Sequence, residues 1–191
     1  QLDIRVEACH INHCLRGEES ERDQQFCTDF CRRYNIPLTV HRIWAQQEAK
    51  QAGQSVETFS RQRRYQLLTA LAGQQGRVAT AHNLNDNAET VLFYLARGTG
   101  LNGLGGIPPV RGQIIRPLIG CTREQIEQFC GENGLDFIHD SSNDSDQYTR
   151  NRIRHHLLPQ MQQLNGGFLQ NIAELCDTAR TDQQFLQQLA Q

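Results

Sequence analysis

The first half of the chain alternates strand-like with helix-like segments, and this alternation constrains the fold more than any other feature. Apolar residues occupy every second position from Leu2 to Ala8 and continue to Ile11, which is typical of a strand. The elements predicted after it are a helix ending at residue 34, a strand over 38–43, a polar loop over 45–54, a helix from Ser55 to about Leu71, a strand over 77–82 and a helix ending at Arg97. Helices between strands are the crossover connections of a parallel sheet. The order therefore predicts an α/β fold.

The character of the chain changes after residue 97. Residues 98–106 contain five glycines, and the pattern beyond them predicts a short strand near residues 113–116 followed by helices. Thr122 and Gln125 have the spacing of a capping box and predict the start of a helix. We expect an α/β domain over residues 1–118 and a helical extension over residues 119–191. The G-x-G-x-x-G string within the glycine-rich segment follows a helix instead of a strand, which argues against a dinucleotide site.

Composition narrows the class of protein. A chain of 191 residues can bury one substantial core, and none of its apolar runs is long enough to cross a bilayer. The net charge of −2 excludes a uniformly basic nucleic-acid binder, so any RNA contact must come from local basic patches. Seven cysteines without a C-x-x-C pair are typical of reduced thiols in a cytoplasmic protein. Because the chain starts at Gln1 and is still helical in pattern at Gln191, we expect both ends to be cut.

Residues 82–90 (H-N-L-N-D-N-A-E-T) contain the sharpest candidate site. They lie where a strand ends and a helix begins, which is where ligands bind in open α/β sheets. Asp86 and Glu89 are three residues apart and lie near one helix face, and we expect the buried stripe of the helix to leave Glu89 away from the core. Two carboxylates with substrate phosphates suit a Mg²⁺ ion. The alternative is a helix cap, with Asp86 at the N-cap and Glu89 at the third helical position.

A second candidate lies at residues 61–65 (R-Q-R-R-Y). Arg61 and Arg64 share one helix face, and guanidinium groups bind phosphates through paired hydrogen bonds. The alternative is a solvated charged face, which we favour for Arg63.

A third candidate lies at residues 148–156. We expect Ile153, Leu157 and Met161 to face the core in this region. The basic side chains would then face outward as a patch suited to a phosphate backbone. Ordinary solvated surface is again the alternative.

Seven motifs, taken in order, carry a resemblance to a known family. They are H-I-N-H-C-L-R at 10–16, R-Q-R-R-Y at 61–65, H-N-L-N-D-N-A-E-T at 82–90, R-G-T-G-L-N-G-L at 97–104, R-P-L at 116–118 with Arg123, D-S-S-N at 140–143, and R-N-R-I-R-H at 150–155 with L-P at 158–159. Each motif alone is weak, but their common order is specific. The chain resembles, nearly from end to end, the tRNA(Ile)-lysidine synthetase family of PP-loop ATP pyrophosphatases.

The chain also departs from the family pattern. Cys14 replaces a glycine, Asn83 a histidine, Asn85 an aspartate and Asn87 a glutamine, and the roles of the three asparagines stay open. The resemblance implies an S-G-G-x-D-S loop before residue 1, which holds pyrophosphate through backbone N–H groups, and tRNA-binding domains after residue 191. We therefore expect the 191-residue chain alone to be inactive.

The resemblance implies a doubly wound parallel sheet of the PP-loop ATP pyrophosphatase type, followed by the helical extension. It implies ATP-dependent ligation of lysine to carbon 2 of the wobble cytidine in isoleucine tRNA with a CAU anticodon, through an adenylated cytidine. ATP and Mg²⁺ are the implied cofactors, and this tRNA and free L-lysine are the implied partners. No membrane partner is implied, and the oligomeric state is left open.

The resemblance also implies roles for individual residues. The implied catalytic residues are His82, Asp86, Glu89, Arg61 and Arg64, of which Asp86 and Glu89 would hold Mg²⁺ and orient the lysine amine. The implied nucleotide-binding residues are His10, Ile11, Asn12, Arg61, Arg97 and Thr99. Arg150, Arg152 and Arg154 would close over the nucleotide or contact tRNA.

Two other classes of function stay open. One is a PP-loop enzyme that thiolates tRNA, although such an enzyme is expected to carry the C-x-x-C cysteines that this chain lacks. The other is a non-catalytic RNA-binding module.

Overall fold

In a computed structural model, the structure describes residues 4–140, 145, 146 and 148–190. The strands are β1 (Ala8–Asn12), β2 (Leu38–Arg42), β3 (Val78–Ala79), β4 (Val110–Arg111) and β5 (Ile114–Ile115). The helices are α1 (Glu18–Arg33), α2 (Ala45–Gln51), α3 (Val56–Ala72), α4 (Leu84–Arg97), α5 (Leu101–Leu104), α6 (Arg123–Glu132), α7 (Thr149–Arg152), α8 (Leu158–Leu164) and α9 (Phe168–Leu189), and a π-helical turn (Ile153–Leu157) joins α7 to α8. The chain divides into two compact units, Gln1–Gly76 and Arg77–Gln191.

The first unit contains a parallel β-α-β motif. β1 and β2 pair in parallel, from Ala8 opposite Leu38 to Asn12 opposite Arg42, and α1 is the crossover between them. The helix has acidic residues in its first turn and basic residues in its last turn, an arrangement that complements the helix dipole. Strand pairing begins only at Ala8, because β2, with which β1 pairs, begins after Pro37. The observed strand β1 is therefore shorter than the apolar pattern predicted, and Ile4 and Val6 are exposed.

The prediction of a loop over residues 45–54 is wrong, because residues 45–51 form the helix α2. The segment is polar except for its alanines, and this hid the helix. Ala45 and Ala49 are both buried and lie four residues apart, on one face of the helix. Two small side chains are enough to seat a short helix against its neighbours.

The predicted limits of α3 are confirmed. The Ser55 hydroxyl caps the helix by accepting the backbone N–H of Thr58, and Gly73 ends it with a φ of +63°.

The second unit has a small mixed sheet and a helical core. β3 pairs with β5 in parallel, and β4 pairs with β5 as an antiparallel hairpin. The third predicted strand, over 77–82, is therefore reduced to Val78–Ala79. The core is formed by apolar side chains of α4, the π-helical turn, α8 and α9, namely Leu84, Ala88, Val91, Leu92, Ile153, Leu158, Leu169, Ile172 and Cys176. The first two turns of α4 carry the candidate site, where Asp86 is partly exposed and Glu89 is buried.

Two sequence expectations about the second unit are settled by the fold. Thr122 and Gln125 form the expected capping box at the start of α6. The glycine-rich segment begins at the C-terminal end of α4, as expected of a segment that is not a dinucleotide-binding loop.

Within the described ranges, no helix combines the length and apolar character that a bilayer crossing requires. Residues 141–144, which include most of the D-S-S-N motif, lie outside the described residues.

Candidate functional site

Asp86 caps α4, but not in the way that the spacing suggested. Asn83 is the N-cap, and its side-chain oxygen accepts the backbone N–H of Asp86 at 3.0 Å. The Asp86 carboxylate accepts the backbone N–H of Asn83 in return, also at 3.0 Å, which completes a capping box. The alternative with Asp86 at the N-cap and Glu89 at the third position is therefore wrong by one helical turn. Glu89 takes no part in the cap.

Glu89 is buried, which contradicts the expectation that it faces away from the core. Its side chain is 0% exposed. Arg150 donates to it through Nε at 2.8 Å, and Arg154 donates through Nε at 2.6 Å and through Nη2 at 3.1 Å. A buried carboxylate is tolerated in a protein only when it is paired and hydrogen-bonded. Glu89 therefore belongs to a four-charge cluster with Asp86, Arg150 and Arg154, which we call the α4 charge cluster.

Arg150 and Arg154 do not form the outward-facing patch that the sequence suggested. Arg154 is 16% exposed and also lies 3.5 Å from Asp86 Oδ1, whereas Arg150 is 43% exposed and lies 3.6 Å from the same oxygen. Burial alone would lower the pKa of Arg154, but Glu89 and Asp86 raise it above the ordinary value, so the guanidinium stays charged. Arg152 lies between them on the exposed surface.

The π-helical turn explains this arrangement. It inserts one extra residue into the helical repeat, so the buried positions are Ile153 and Leu158, five residues apart, and Leu157 is partly exposed instead. A regular helix would have favoured the core positions expected from the sequence. The four-residue spacing of Arg150 and Arg154 indicates that both lie on one helix face, but no sequence signal shows the buried anion opposite them.

The α4 charge cluster does not fit a resident Mg²⁺ ion at Glu89. Both Glu89 oxygens accept short hydrogen bonds from guanidinium groups, so a metal ion would have to displace an arginine. One Asp86 oxygen is held by the capping box. Among the described residues there is no group of three or more His, Cys, Asp or Glu side chains placed to hold a metal ion.

The asparagines that depart from the family pattern have structural roles. Asn85 is buried, and its Oδ1 accepts the backbone N–H of Arg123 at 2.9 Å, which ties the start of α6 to α4. Asn87 is buried as well, accepts the backbone N–H of Ile107 at 2.7 Å and donates to Cys176 Sγ at 3.4 Å. These hydrogen bonds fix the segments that surround the charge cluster.

Arg97 and Thr99 lie at or beyond the far end of α4 from Asp86, whereas His82 directly precedes the N-cap Asn83. His82 Nδ1 lies 3.0 Å from the hydroxyl of Thr80, before the first turn of α4. Arg97 stacks on Phe93 with its guanidinium carbon 4.1 Å from the ring centroid, at the opposite end of the helix from Asp86. Eleven residues of helix separate the two, or about 16 Å along its axis. Thr99 lies beyond that end.

In the first unit, the arginines of α3 form an exposed cationic face. Arg61 packs over the ring of Tyr65 at 5.3 Å, and Arg64 donates through Nη2 to His13 Nε2 at 3.3 Å. No salt bridge joins Arg61, Arg63 or Arg64 to a carboxylate in the part of the chain that the structure describes. Arg61 and Arg64 lie three residues apart on one side of the helix, and we call these two side chains the α3 arginine face.

Residues 10–12 lie on β1 in the same unit. Asn12 is buried, and its amide donates to Gln24 Oε1 at 3.1 Å while its oxygen accepts the backbone N–H of Cys14 at 2.9 Å. Burial lowers the pKa of His10, and Asp23 partly offsets this effect. The Asn12 side chain therefore closes the connection from β1 to α1.

Comparison with known proteins identifies the family. A model of the PP-loop domain matches residues 1–161. The chain belongs to the PP-loop family. The family expected from the order of the motifs is confirmed, and so is the α/β fold class.

The PP-loop chain is similar to curated proteins named tRNA(Ile)-lysidine synthase. It is 42% identical to that of Bacteroides thetaiotaomicron over 172 residues, covering 89% of this chain and 40% of the relative. It is 40% identical to that of Symbiobacterium thermophilum over 187 residues (94% and 39%) and 35% identical to that of Clostridium tetani over 190 residues (97% and 41%). The chain thus spans about 40% of the length of these relatives.

A solved structure shows the same fold. The PP-loop chain is similar to the U34-tRNA thiolase NcsA from Methanococcus maripaludis with its [4Fe-4S] cluster, with a TM-score of 0.69, 16% sequence identity, and coverage of 91% of this chain and 61% of that one. At this identity the likeness concerns the fold alone.

Proposed function

We propose that the protein carrying this chain ligates lysine to carbon 2 of the wobble cytidine of isoleucine tRNA with a CAU anticodon, at the expense of ATP. The cytidine O2 attacks the α-phosphorus of ATP, and pyrophosphate leaves. The lysine side-chain nitrogen then attacks carbon 2, the carbon–oxygen bond breaks, and AMP leaves as the nitrogen loses a proton. AMP is a far better leaving group than the original carbonyl oxygen, which is why an ATP is consumed.

The observation that carries this proposal is the likeness to proteins named tRNA(Ile)-lysidine synthase, over 89–97% of the chain. The likeness includes the segments that build the α4 charge cluster and the α3 arginine face. A tRNA thiolation activity has weaker support, because the likeness to the thiolase concerns the fold alone. We therefore favour ligation over thiolation.

The α4 charge cluster supports an amino acid as one substrate. Two of its members have opposite charges and are partly accessible: Asp86 is 17% exposed and Arg150 is 43% exposed. An amino acid presents an ammonium group and a carboxylate, which complement a carboxylate and a guanidinium side by side. Glu89 and Arg154 form the buried base that holds these two side chains in place. We assign Asp86 to the lysine amine and Arg150 to the lysine carboxylate.

The remaining roles belong to the same proposal. Arg61 and Arg64 neutralise the charge that develops on the ATP phosphates, and His82 acts beside Asp86. The backbone of residues 10–12 borders the adenine, and Arg97 and Thr99 contribute to nucleotide binding from the far end of α4. Because the carboxylates do not fit a resident metal ion in this arrangement, we assign no step to Mg²⁺.

Lysine incorporation into tRNA tests the proposal directly. The protein is incubated with ATP, labelled lysine and an isoleucine tRNA transcript with a CAU anticodon, and labelled tRNA and released pyrophosphate are measured. The critical variant is Asp86→Asn, since an amide oxygen also accepts the backbone N–H of Asn83 and keeps the cap. We expect incorporation to fall about 100-fold or more, because a charge that contacts the reacting group is lost.

The matched control is Asp29→Asn, which removes an exposed carboxylate that pairs with Arg32 on α1. It should leave incorporation within about twofold of the unchanged protein, since exposed ion pairs contribute little. An unchanged protein that transfers sulfur to the tRNA, or that binds RNA without consuming ATP, would overturn the proposed function in favour of thiolation or of a non-catalytic module.

A further inference from the structure

The arginines of the α3 arginine face have no carboxylate partner among the described residues, unlike most arginines of α1 and of the α4 charge cluster. Elsewhere in the described residues, arginine is repeatedly paired with a carboxylate, as in Arg5–Glu7, Arg16–Asp23, Arg22–Asp23, Arg32–Asp29, Arg42–Glu21, Arg150–Glu89, Arg154–Glu89 and Arg180–Asp177. Arg64 instead contacts a neutral acceptor, the imidazole of His13. A guanidinium that lacks an internal anion keeps its full attraction for an external one.

The contact fixes the tautomer of His13. Arginine has only donors, so His13 Nε2 must be the acceptor in the 3.3 Å contact with Arg64. The single proton of the neutral ring must then lie on Nδ1. Nδ1 is buried and has no hydrogen-bond partner among the described residues. Accepting the bond from Arg64 thus leaves a buried donor unsatisfied.

This arrangement does not serve stability. An unsatisfied buried donor costs more free energy than a hydrogen bond to an exposed side chain returns. The buried hydroxyl of Ser60, one turn before Arg64 on α3, also has no partner within the described ranges. The ring that accepts from Arg64 and a residue one turn before Arg64 thus each have an unsatisfied buried polar atom, a kind of local cost that a protein retains at a functional site.

We propose that His13 is a positioning residue, whose Nε2 accepts an N–H of Arg64 and holds that guanidinium on the α3 arginine face for a polyphosphate ligand. His13 itself does not touch the ligand, because its free nitrogen is buried. The proposal deepens the proposed function, in which Arg64 faces the ATP phosphates, and rests on it for the identity of the anion.

The charge state of the ring agrees with this role. Burial, together with the nearby charges of Arg64 and His10, lowers the pKa of His13 to about 4. The imidazole is therefore neutral near pH 7 and keeps a lone pair on Nε2 for Arg64. A protonated ring would have two N–H donors and would repel the guanidinium.

The test is the binding of inorganic pyrophosphate to the protein carrying this chain, measured by isothermal titration calorimetry at pH 7.5. Arg64→Gln removes the anion-binding group, His13→Phe keeps a flat ring without an acceptor, and His13→Gln supplies a side-chain oxygen near the position of Nε2. We expect Arg64→Gln to weaken binding about tenfold, which corresponds to about 1.4 kcal/mol, and His13→Phe to weaken it about threefold to tenfold. His13→Gln should stay within about twofold of the unchanged chain.

A double variant separates positioning from a direct contact. If His13 acts only through Arg64, His13→Phe should add nothing to the loss caused by Arg64→Gln. Pyrophosphate binding that is unaffected by His13→Phe, equally weak in His13→Gln and His13→Phe, or absent from the unchanged chain would overturn the proposal.

The tautomer of His13 can be measured on the unchanged chain, so this test does not require any variant to fold. Nitrogen-15 NMR of the unchanged chain should show His13 protonated at Nδ1, and a proton at Nε2 would overturn the proposal.

Pyrophosphate binding and lysine incorporation are separate measurements, so their failures are distinguishable. If the protein carrying this chain binds pyrophosphate through Arg64 and His13 but makes no lysidine, the positioning role is retained and the proposed function is lost.

Discussion

The α3 arginine face and the α4 charge cluster contain the same kind of side chain in opposite settings. On α3, Arg61, Arg63 and Arg64 are exposed, and none forms a salt bridge with a described carboxylate. In the α4 charge cluster, Arg150 and Arg154 both donate to the fully buried Glu89. On α3 the guanidinium charge is available to a ligand, whereas in the α4 charge cluster it is neutralised by a carboxylate inside the protein. An arginine-rich motif therefore does not reveal its role until its counter-charge is known.

The comparison predicts its largest effect at Glu89. Glu89→Gln leaves two guanidinium groups beside a neutral amide, and breaking a buried ion pair in this way costs about 3–5 kcal/mol. We expect the free energy of unfolding to fall by that amount in urea titrations, and the melting temperature to fall by roughly 10 °C for a chain of this size. Glu132→Gln, at an exposed carboxylate on α6, should change stability by no more than about 0.5 kcal/mol.

A loss of less than about 1 kcal/mol in Glu89→Gln would show that the arginines do not depend on this carboxylate. The size of the expected loss also means that Glu89→Gln is unsuitable as an activity test. Lost activity in that variant would mix chemistry with unfolding, whereas Asp86→Asn keeps the cap.

The second prediction is that Arg152 and Arg154 contribute differently to tRNA binding. Arg152 is exposed and lies outside the charge cluster, so Arg152→Gln should lower the salt dependence of tRNA binding by about one unit of slope. Arg154→Gln should change that slope much less, because its guanidinium is already paired with Glu89. Fluorescence anisotropy with labelled tRNA at several salt concentrations measures both. Equal changes in slope would mean that Arg154 leaves Glu89 to contact RNA.

A third prediction concerns the acid stability of the first unit. The pKa of His13 lies at about 4 in the folded chain, and its ordinary value is 6.5. Between these values the unfolded chain binds a proton that the folded chain does not, so stability falls as the pH falls from about 6.5 to about 4. His13→Gln should lose less stability than the unchanged chain over this window, in urea titrations at pH 7 and pH 4.5.

His10→Gln provides the comparison for that experiment. Burial lowers the pKa of His10, but the charge of Asp23 works in the opposite direction, so removing His10 should change the pH dependence less than removing His13. Identical pH dependence in the unchanged chain and in His13→Gln would contradict the assigned environment of His13.

The sequence predicted those parts of the fold that depend on local chemistry. Ser55 and Gly73 marked the ends of α3, and Thr122 with Gln125 marked the start of α6, because caps depend on a few neighbouring residues. The helix α2 was missed because its buried face consists only of alanines.

The candidate site was harder to predict because its contacts join distant segments. Glu89 is 61 residues before Arg150, and neither periodicity nor spacing shows that the two meet. The π-helical turn then shifts the buried face by one residue, which no 3.6-residue pattern anticipates. The role of Asn87 depends on Ile107 and Cys176 in the same way. Motif order identified the family, but the partners of each charge came only from the structure.

The most direct test of the contrast is the free energy of unfolding of Arg64→Gln and Arg154→Gln, measured side by side at pH 7.5. The account predicts a loss of about 3 kcal/mol or more in Arg154→Gln, because Glu89 is left buried with half of its partners. It predicts a change of no more than about 0.5 kcal/mol in Arg64→Gln, because that side chain is exposed and has no described counter-charge. Equal losses, or a larger loss in Arg64→Gln, would contradict the division of the arginines into a ligand-facing set and an internal one.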